Sequence, residues 1–226
     1  MKKKLSLLIV LVLILSLAFT GCGKKDPTPD IQAKATALMD AMVAGDAAKV
    51  AELVEPELLT AGGDLESFGT IDSFAEDFAE GIGYIEVSDM NETALAAIDD
   101  FKAFILENLV ESYELGEVKV NGDTATVDVK VNYAFDPDSI ESVSIDDELN
   151  AYINTYTSEH MDELVQVLND EGEDALNLKI VNDIIPSVLE MYGNALLEAG
   201  GMSEDSVIMF VNQDDNWVIN GFKAYL

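Results

Sequence analysis

The chain contains no arginine, one cysteine, one histidine and one tryptophan among its 226 residues. Each scarcity excludes something. Without arginine there is no bidentate fork for a carboxylate or phosphate. With 12 basic residues, all lysine, against 44 acids, no basic surface can form to neutralise nucleic-acid phosphates, so nucleic acid is excluded as a partner. A single cysteine forbids an intramolecular disulfide, so the fold must rest on its core. One histidine and one thiol leave neither the usual zinc ligand set nor a Cys–His nucleophile pair. There is also no glycine-rich loop ending in Lys-Ser or Lys-Thr to cradle nucleotide phosphates. Neither a catalytic set nor a cofactor or metal site is expected.

The N-terminus is where the chain is least acidic. Lys2, Lys3 and Lys4 precede an apolar run from Leu5 to Phe19, broken only by Ser6 and Ser16. A basic stretch, an apolar stretch and small residues at a cut form a secretory leader. The run is shorter than the roughly 20 apolar residues that span a bilayer. Phe19-Thr20-Gly21-Cys22 closes it and resembles a bacterial lipobox. That resemblance implies cleavage between Gly21 and Cys22, with a diacylglyceryl group on the Cys22 sulfur. Membrane lipid is then the first partner, and the outer face of the cytoplasmic membrane the location. Two acyl chains anchor stably where one does not. Lys24 and Lys25 would add about 1 kcal/mol each of attraction to anionic headgroups. Asp26-Pro27-Thr28-Pro29 reads as a short stiff tether. The expected organisation is a leader over 1–21, anchor and tether over 22–29, and one domain over 30–226, long enough for a substantial core.

Helices come first. Ala35, Leu38, Met39 and Met42 form a stripe at helical spacing over 31–43, ended by Gly45. Asp46 caps a second helix that stops at Pro56. Residues 58–69 read as loop. Asp72 or Ser73 would cap a short helix whose Asp72, Glu76 and Glu80 make a like-charge row. Asn91 caps a longer helix over 93–112; its glycosylation-type sequon, Asn91-Glu92-Thr93, is read as a cap. The period then becomes two. Residues 117–120 meet the tight-turn pair Asn121-Gly122, and Ala125, Val127, Val129, Val131 and Tyr133 alternate with polar neighbours, giving a sheet with one face on a core. A helix over 146–168, with Leu149, Ile153, Tyr156, Met161, Leu164 and Leu168 on one side, is followed by a broadly apolar helix over 174–199, kinked at Pro186. Strands over 206–212 and 217–225, joined by Gln213-Asp214-Asp215-Asn216, close the chain. The fold class is α+β: a curved antiparallel sheet of about four strands, helices on one face, and a helical-pair insertion over about 145–201 between two hairpins.

Three segments resemble the nuclear transport factor 2-like, cystatin-like superfamily, and in particular small lipoproteins of Gram-positive bacteria. They are the helix pair over 37–50, the hairpin Val118-Lys119-Val120-Asn121-Gly122-Asp123-Thr124-Ala125-Thr126-Val127 and the terminal Asp214-Asp215-Asn216-Trp217-Val218-Ile219-Asn220. The resemblance implies a cone between sheet and helices, and its members include both enzymes and binding modules.

Three functional readings stay open. The first is a non-catalytic module binding a small apolar ligand or an envelope protein, with Tyr133, Trp217, Phe222 and Tyr225 as pocket lining. The second, by analogy with the superfamily, is an isomerase or hydratase using a carboxylate inside the cone, which requires a buried acid. The third is an acidic cation-binding envelope protein; 136–138 and 169–174 resemble loose calcium loops without the spaced ligand pattern. His160 could act as a base beside Asp162 or Glu163, but its position on a helix reads more plainly as structural.

Overall fold

The computed structural model describes residues 26–60, 63, 65–83 and 85–225. The leader, Gly21, Cys22 and the two lysines after it lie outside the described residues.

Helix α1 (Thr28–Val43) presents Ile31, Ala35, Leu38, Met39 and Met42 to the interior, as its stripe predicts. The chain reverses at Gly45, whose φ of 65° is left-handed; a Cβ there would sit 2.8 Å from the Glu107 backbone nitrogen, so only glycine combines this turn with this approach. The Asp46 side chain accepts from Lys49 N–H and caps α2 (Ala47–Leu53). After a 3₁₀ turn at Pro56–Leu59, helix α3 spans Glu66–Gly83. It begins earlier than sequence suggested: Asp72 and Ser73 lie inside it and not at its cap. Glu76 of the expected acidic row pairs with Lys102 at 3.3 Å, and Glu80 accepts from Val87 N–H, which offsets the repulsion. Asn91 caps α4 (Glu92–Leu109) by accepting from Ala94 N–H.

Helix α4 passes into strand β1 (Val110–Asn121) without a loop. The strand is far longer than the 117–120 segment legible in sequence. It pairs antiparallel with β2 (Thr124–Tyr133) through a turn with Gly122 at φ 63°, and carries bulges near Glu111 and between Leu115 and Val118. The alternation expected in β2 is observed: Ala125, Val127, Val129 and Val131 are buried, while Tyr133 is half-buried.

A long excursion then leaves the sheet. It holds a 3₁₀ turn (Pro137–Glu141), α5 (Asp146–Glu159), α6 (Met161–Asp170) and α7 (Glu173–Ala199). The helix expected over 146–168 is two helices, broken at His160 (φ −107°, ψ 11°). The break resets the helical phase, so Met161 and Leu168 are exposed while Leu164 is buried. Helix α7 continues through Pro186. Proline removes the donor for the Asn182 carbonyl, and the Asn182 side chain is engaged elsewhere, accepting from Asn91 N–H at 2.7 Å and tying α7 to the start of α4.

Strands β3 (Met202–Gln213) and β4 (Asn216–Ala224) complete an antiparallel sheet of order β1-β2-β3-β4. Their two-residue turn has both Asp214 (φ 52°) and Asp215 (φ 66°) left-handed, the signature of a type I′ hairpin. The curved α+β sheet with its helices is therefore the observed fold.

One helix closes the inner face of this sheet. Lys34 of α1 donates to the Trp217 carbonyl and to Asn216 Oδ1 at the start of β4, and Asp40, nearly two turns on, accepts from Tyr113 of β1 at 2.7 Å. Helix α1 thus crosses the sheet diagonally from β4 to β1. Leu38 and Met39 beneath it are fully buried, each stabilising the fold by about 1.5–3 kcal/mol. Helix α4 lies beside α1, and α3 and α7 pack against α4. Phe78, Phe101 and Tyr192 meet there as a ring cluster, the closest pair 4.5 Å apart.

Candidate functional site

The inner face of the sheet is covered by α1 and lined by buried hydrophobic side chains. Among the described residues the buried polar side chains are Asn182 and Ser206, and no carboxylate is buried. Of the proposed pocket-lining aromatics, Trp217 (5% exposed) and Phe222 (6%) are core residues, Tyr133 is half-buried and Tyr225 is exposed. Tyr133 pairs with Met202 and Trp217 with Asn212, at opposite ends of β3, roughly 33 Å apart at the usual strand rise. Tyr225 stands on the other face of the sheet, where its hydroxyl donates to Asp128. The four therefore share no pocket. Strand spacing offers all four as pocket lining but has no means to reveal that α1 covers the inner face.

The excursion gathers the most interconnected polar groups. Tyr156 is buried on α5 and donates to Asp183 Oδ2 of α7 at 2.7 Å. Lys179 donates to the same oxygen at 2.9 Å and reaches Glu163 Oε1 of α6 at 2.9 Å. Glu163 Oε2 lies 3.3 Å from His160 Nδ1, and the His160 ring stacks on Tyr156 at 4.7 Å. Glu163 is thus the acid that meets the lone histidine. The charge states follow from the contacts. The hydrogen bonds of Asp183 and Glu163 push the Lys179 ammonium well above the usual lysine range. Burial, with Asp183 beside it, pushes the Tyr156 hydroxyl up. Burial alone would raise the Asp183 carboxyl, but hydrogen bonds from Tyr156 and Lys179 hold it below the ordinary carboxylate range. Glu163 is lowered by Lys179 and then His160. A lysine locked in its charged form and a tyrosine locked in its neutral one are poor proton acceptors near neutral pH. The arrangement joins α5, α6 and α7 at their common corner.

Two open depressions mark the surface. One, of about 420 Å³, lies on the outer face of the sheet beside the β1 bulge, where Glu114, Gly116, Asp128, Lys130, Asp205 and Tyr225 surround it. Asp128 there accepts from both Lys119 and Tyr225, and the Lys119 bond leads the causes that lower its carboxyl. The other, of about 680 Å³, sits at the start of α7. Ile85, Ala175 and Leu178 supply its apolar lining, and Glu86, Asp89 and Asp174 its ionisable groups. Every ionisable group around this second depression is an acid. Its residues come from chain segments some ninety positions apart, so no sequence window brings them together. Among the described residues, no three carboxylates, histidines or thiols converge to hold a metal ion. No described helix is long and apolar enough to cross a membrane.

Neither a family profile nor a curated protein matches this chain. Among solved structures, it is similar to the candidate lipoprotein ycdA of Bacillus subtilis at 19% identity and a TM-score of 0.32, over 84% of this chain. The chain spans 55% of that protein's length.

Proposed function

We propose that this chain is a lipid-anchored protein at the outer face of the cytoplasmic membrane, where it binds a partner on its outer surface without catalysing a reaction. The covered inner face of the sheet carries the binding part of this reading. Helix α1 occupies the space in which a nuclear transport factor 2-like cone would open, and no acid is buried there among the described residues. Carboxylate-driven isomerisation or hydration needs such an acid, desolvated and raised in pKa. A partner must then be met on the outside, where the acid-rimmed depression at the start of α7 and the exposed face of the excursion lie. Helices first, then two antiparallel hairpins separated by the excursion, is an order that supports a nuclear transport factor 2-like, cystatin-like plan with its cone closed by α1.

The anchor rests on the leader and on Cys22. Asp26 is exposed, and α1 starts at Thr28, so Thr28 and Pro29, expected in the tether, belong to the first helical turn and the tether ends at Pro27. A fully extended tether of six residues reaches roughly 20 Å, so the domain would stand close to the bilayer. Intact-mass spectrometry of the membrane-extracted protein tests this. The expected product begins at Cys22 and carries two acyl chains, and Cys22→Ser should release the domain from the membrane. A free thiol at position 22, or a retained leader, refutes the anchor.

A further inference from the structure

Helix α6 spends its apolar residues on water. Met161 is 49% exposed, Val165 47% and Leu168 41%. At 100° per residue these positions fall within about 60° of arc, forming one continuous stripe along the helix. Leu164, next to that stripe, is buried and seats α6 on the domain. Single exposed aliphatics need no explanation, but a stripe at i, i+4, i+7 is the face that helices bury against a partner. The platform beneath it is fixed at both ends: by the Glu163–Lys179 bridge to α7 at 2.9 Å, and by the turn at Gly172.

Charge decides the occupant. Between positions 159 and 174 there are seven carboxylates and no lysine, and of the seven Glu163 is already paired with Lys179 of α7. One turn beyond α6, the start of α7 repeats the combination of apolar lining and acid rim. With a formal charge of −32 on the chain, a second copy is repelled, and this acidic face is repelled by an anionic lipid surface. A cationic amphipathic helix is complementary on both counts: its apolar face matches the stripe and its lysines or arginines match the rim. We propose that the Met161–Val165–Leu168 face of α6 is the docking site for a cationic amphipathic helical segment of another polypeptide. This deepens the binding reading above but is independent of the lipid anchor, because the core is enclosed by residues 31–222 and the domain can be tested without Cys22.

The experiment uses residues 26–226 and two fluorescent 14-residue peptides of leucine and lysine. They have identical composition; in one the leucines line a single helical face, and in the other the order is scrambled. Anisotropy titrations should show the amphipathic peptide binding at least tenfold tighter, with the preference surviving 0.3 M salt. The variant M161S/V165S/L168S should bind both peptides alike. Because these three side chains are exposed, the variant should fold; the Met161 methyl resonance of the unaltered protein offers a second readout and should shift with the amphipathic peptide only. Equal binding of the two peptides overturns the proposal, as does a triple variant that keeps the preference. Concentration-dependent dimerisation abolished by the triple substitution would also overturn it, in favour of a second copy.

Discussion

Replacing Lys179 by methionine isolates the electrostatic part of the α5–α6–α7 corner. Methionine keeps most of the aliphatic stem that lysine lays along the helices and removes only the ammonium that holds Asp183 and Glu163, each at 2.9 Å. An exposed pair contributes about 0–1 kcal/mol, and removing one partner of a buried pair costs 3–5. Lys179 and Asp183 are intermediate, with side chains 25% and 32% exposed. Asp183 also keeps its bond from Tyr156, so the expected loss at pH 7 is about 1.5 kcal/mol. In a domain of this size that lowers Tm by roughly 3–6 °C. The pH dependence carries the argument. Asp183 and Glu163 both titrate below their ordinary values when folded. Stability gained from them is therefore present above the unfolded carboxylate pKa of about 4 and disappears as pH falls through the lower folded value. Urea unfolding at pH 7, 5 and 3.5 should show the Lys179→Met penalty intact at the first two and shrinking at the third. The same substitution in an Asp183→Asn background should cost markedly less. A penalty that is independent of pH and unchanged by Asp183→Asn would show that the loss comes from altered packing at position 179 and that the ammonium charge does not hold this corner.

The β3–β4 turn places two aspartates where positive φ favours Asn-Gly; Asp215→Gly should raise stability by about 0.5–1 kcal/mol, with Asp215→Ala falling below wild type, as differential scanning calorimetry would record. Asn182→Ala removes the acceptor for Asn91 N–H at the head of α4. It should cost about 1–3 kcal/mol in chemical denaturation, and hydrogen exchange should quicken first at the start of α4.

Local chemistry made several elements legible. The caps Asp46 and Asn91, the Gly45 turn, the alternation of β2 and both hairpin turns rest on short-range rules that tertiary context did not override. The misses have physical causes. Helix α3 begins at Glu66 amid glycines that read as loop, and packing against α4 and α7 supplies what propensity lacks. The first half of β1 carries Glu111, Ser112 and Glu114 next to a helical apolar pattern, so its pairing with β2 shows only in the register. No glycine or proline announces the break at His160. That break turns outward Met161 and Leu168, which helical spacing alone assigns to a core-facing side. Cavity occupancy lay beyond the sequence altogether: the stripe of α1 says that it is buried, but not that it is buried where the aromatics of β4 would otherwise face open space.

The placement of the excursion between the second and third strands has a consequence for how the domain is assembled. The outer hairpins each close between neighbouring residues, but the central seam joins partners separated by roughly 70–90 positions, the kind of pairing that forms slowly. A chain threaded outward from its N-terminus completes the first hairpin and then leaves the inner border of that hairpin bare until more than sixty further residues have emerged. During that interval the backbone edge of β2, flanked by valines, is the segment most exposed to pairing with another strand. The last 25 residues of the chain are thus what turns a template for aggregation into the middle of a sheet.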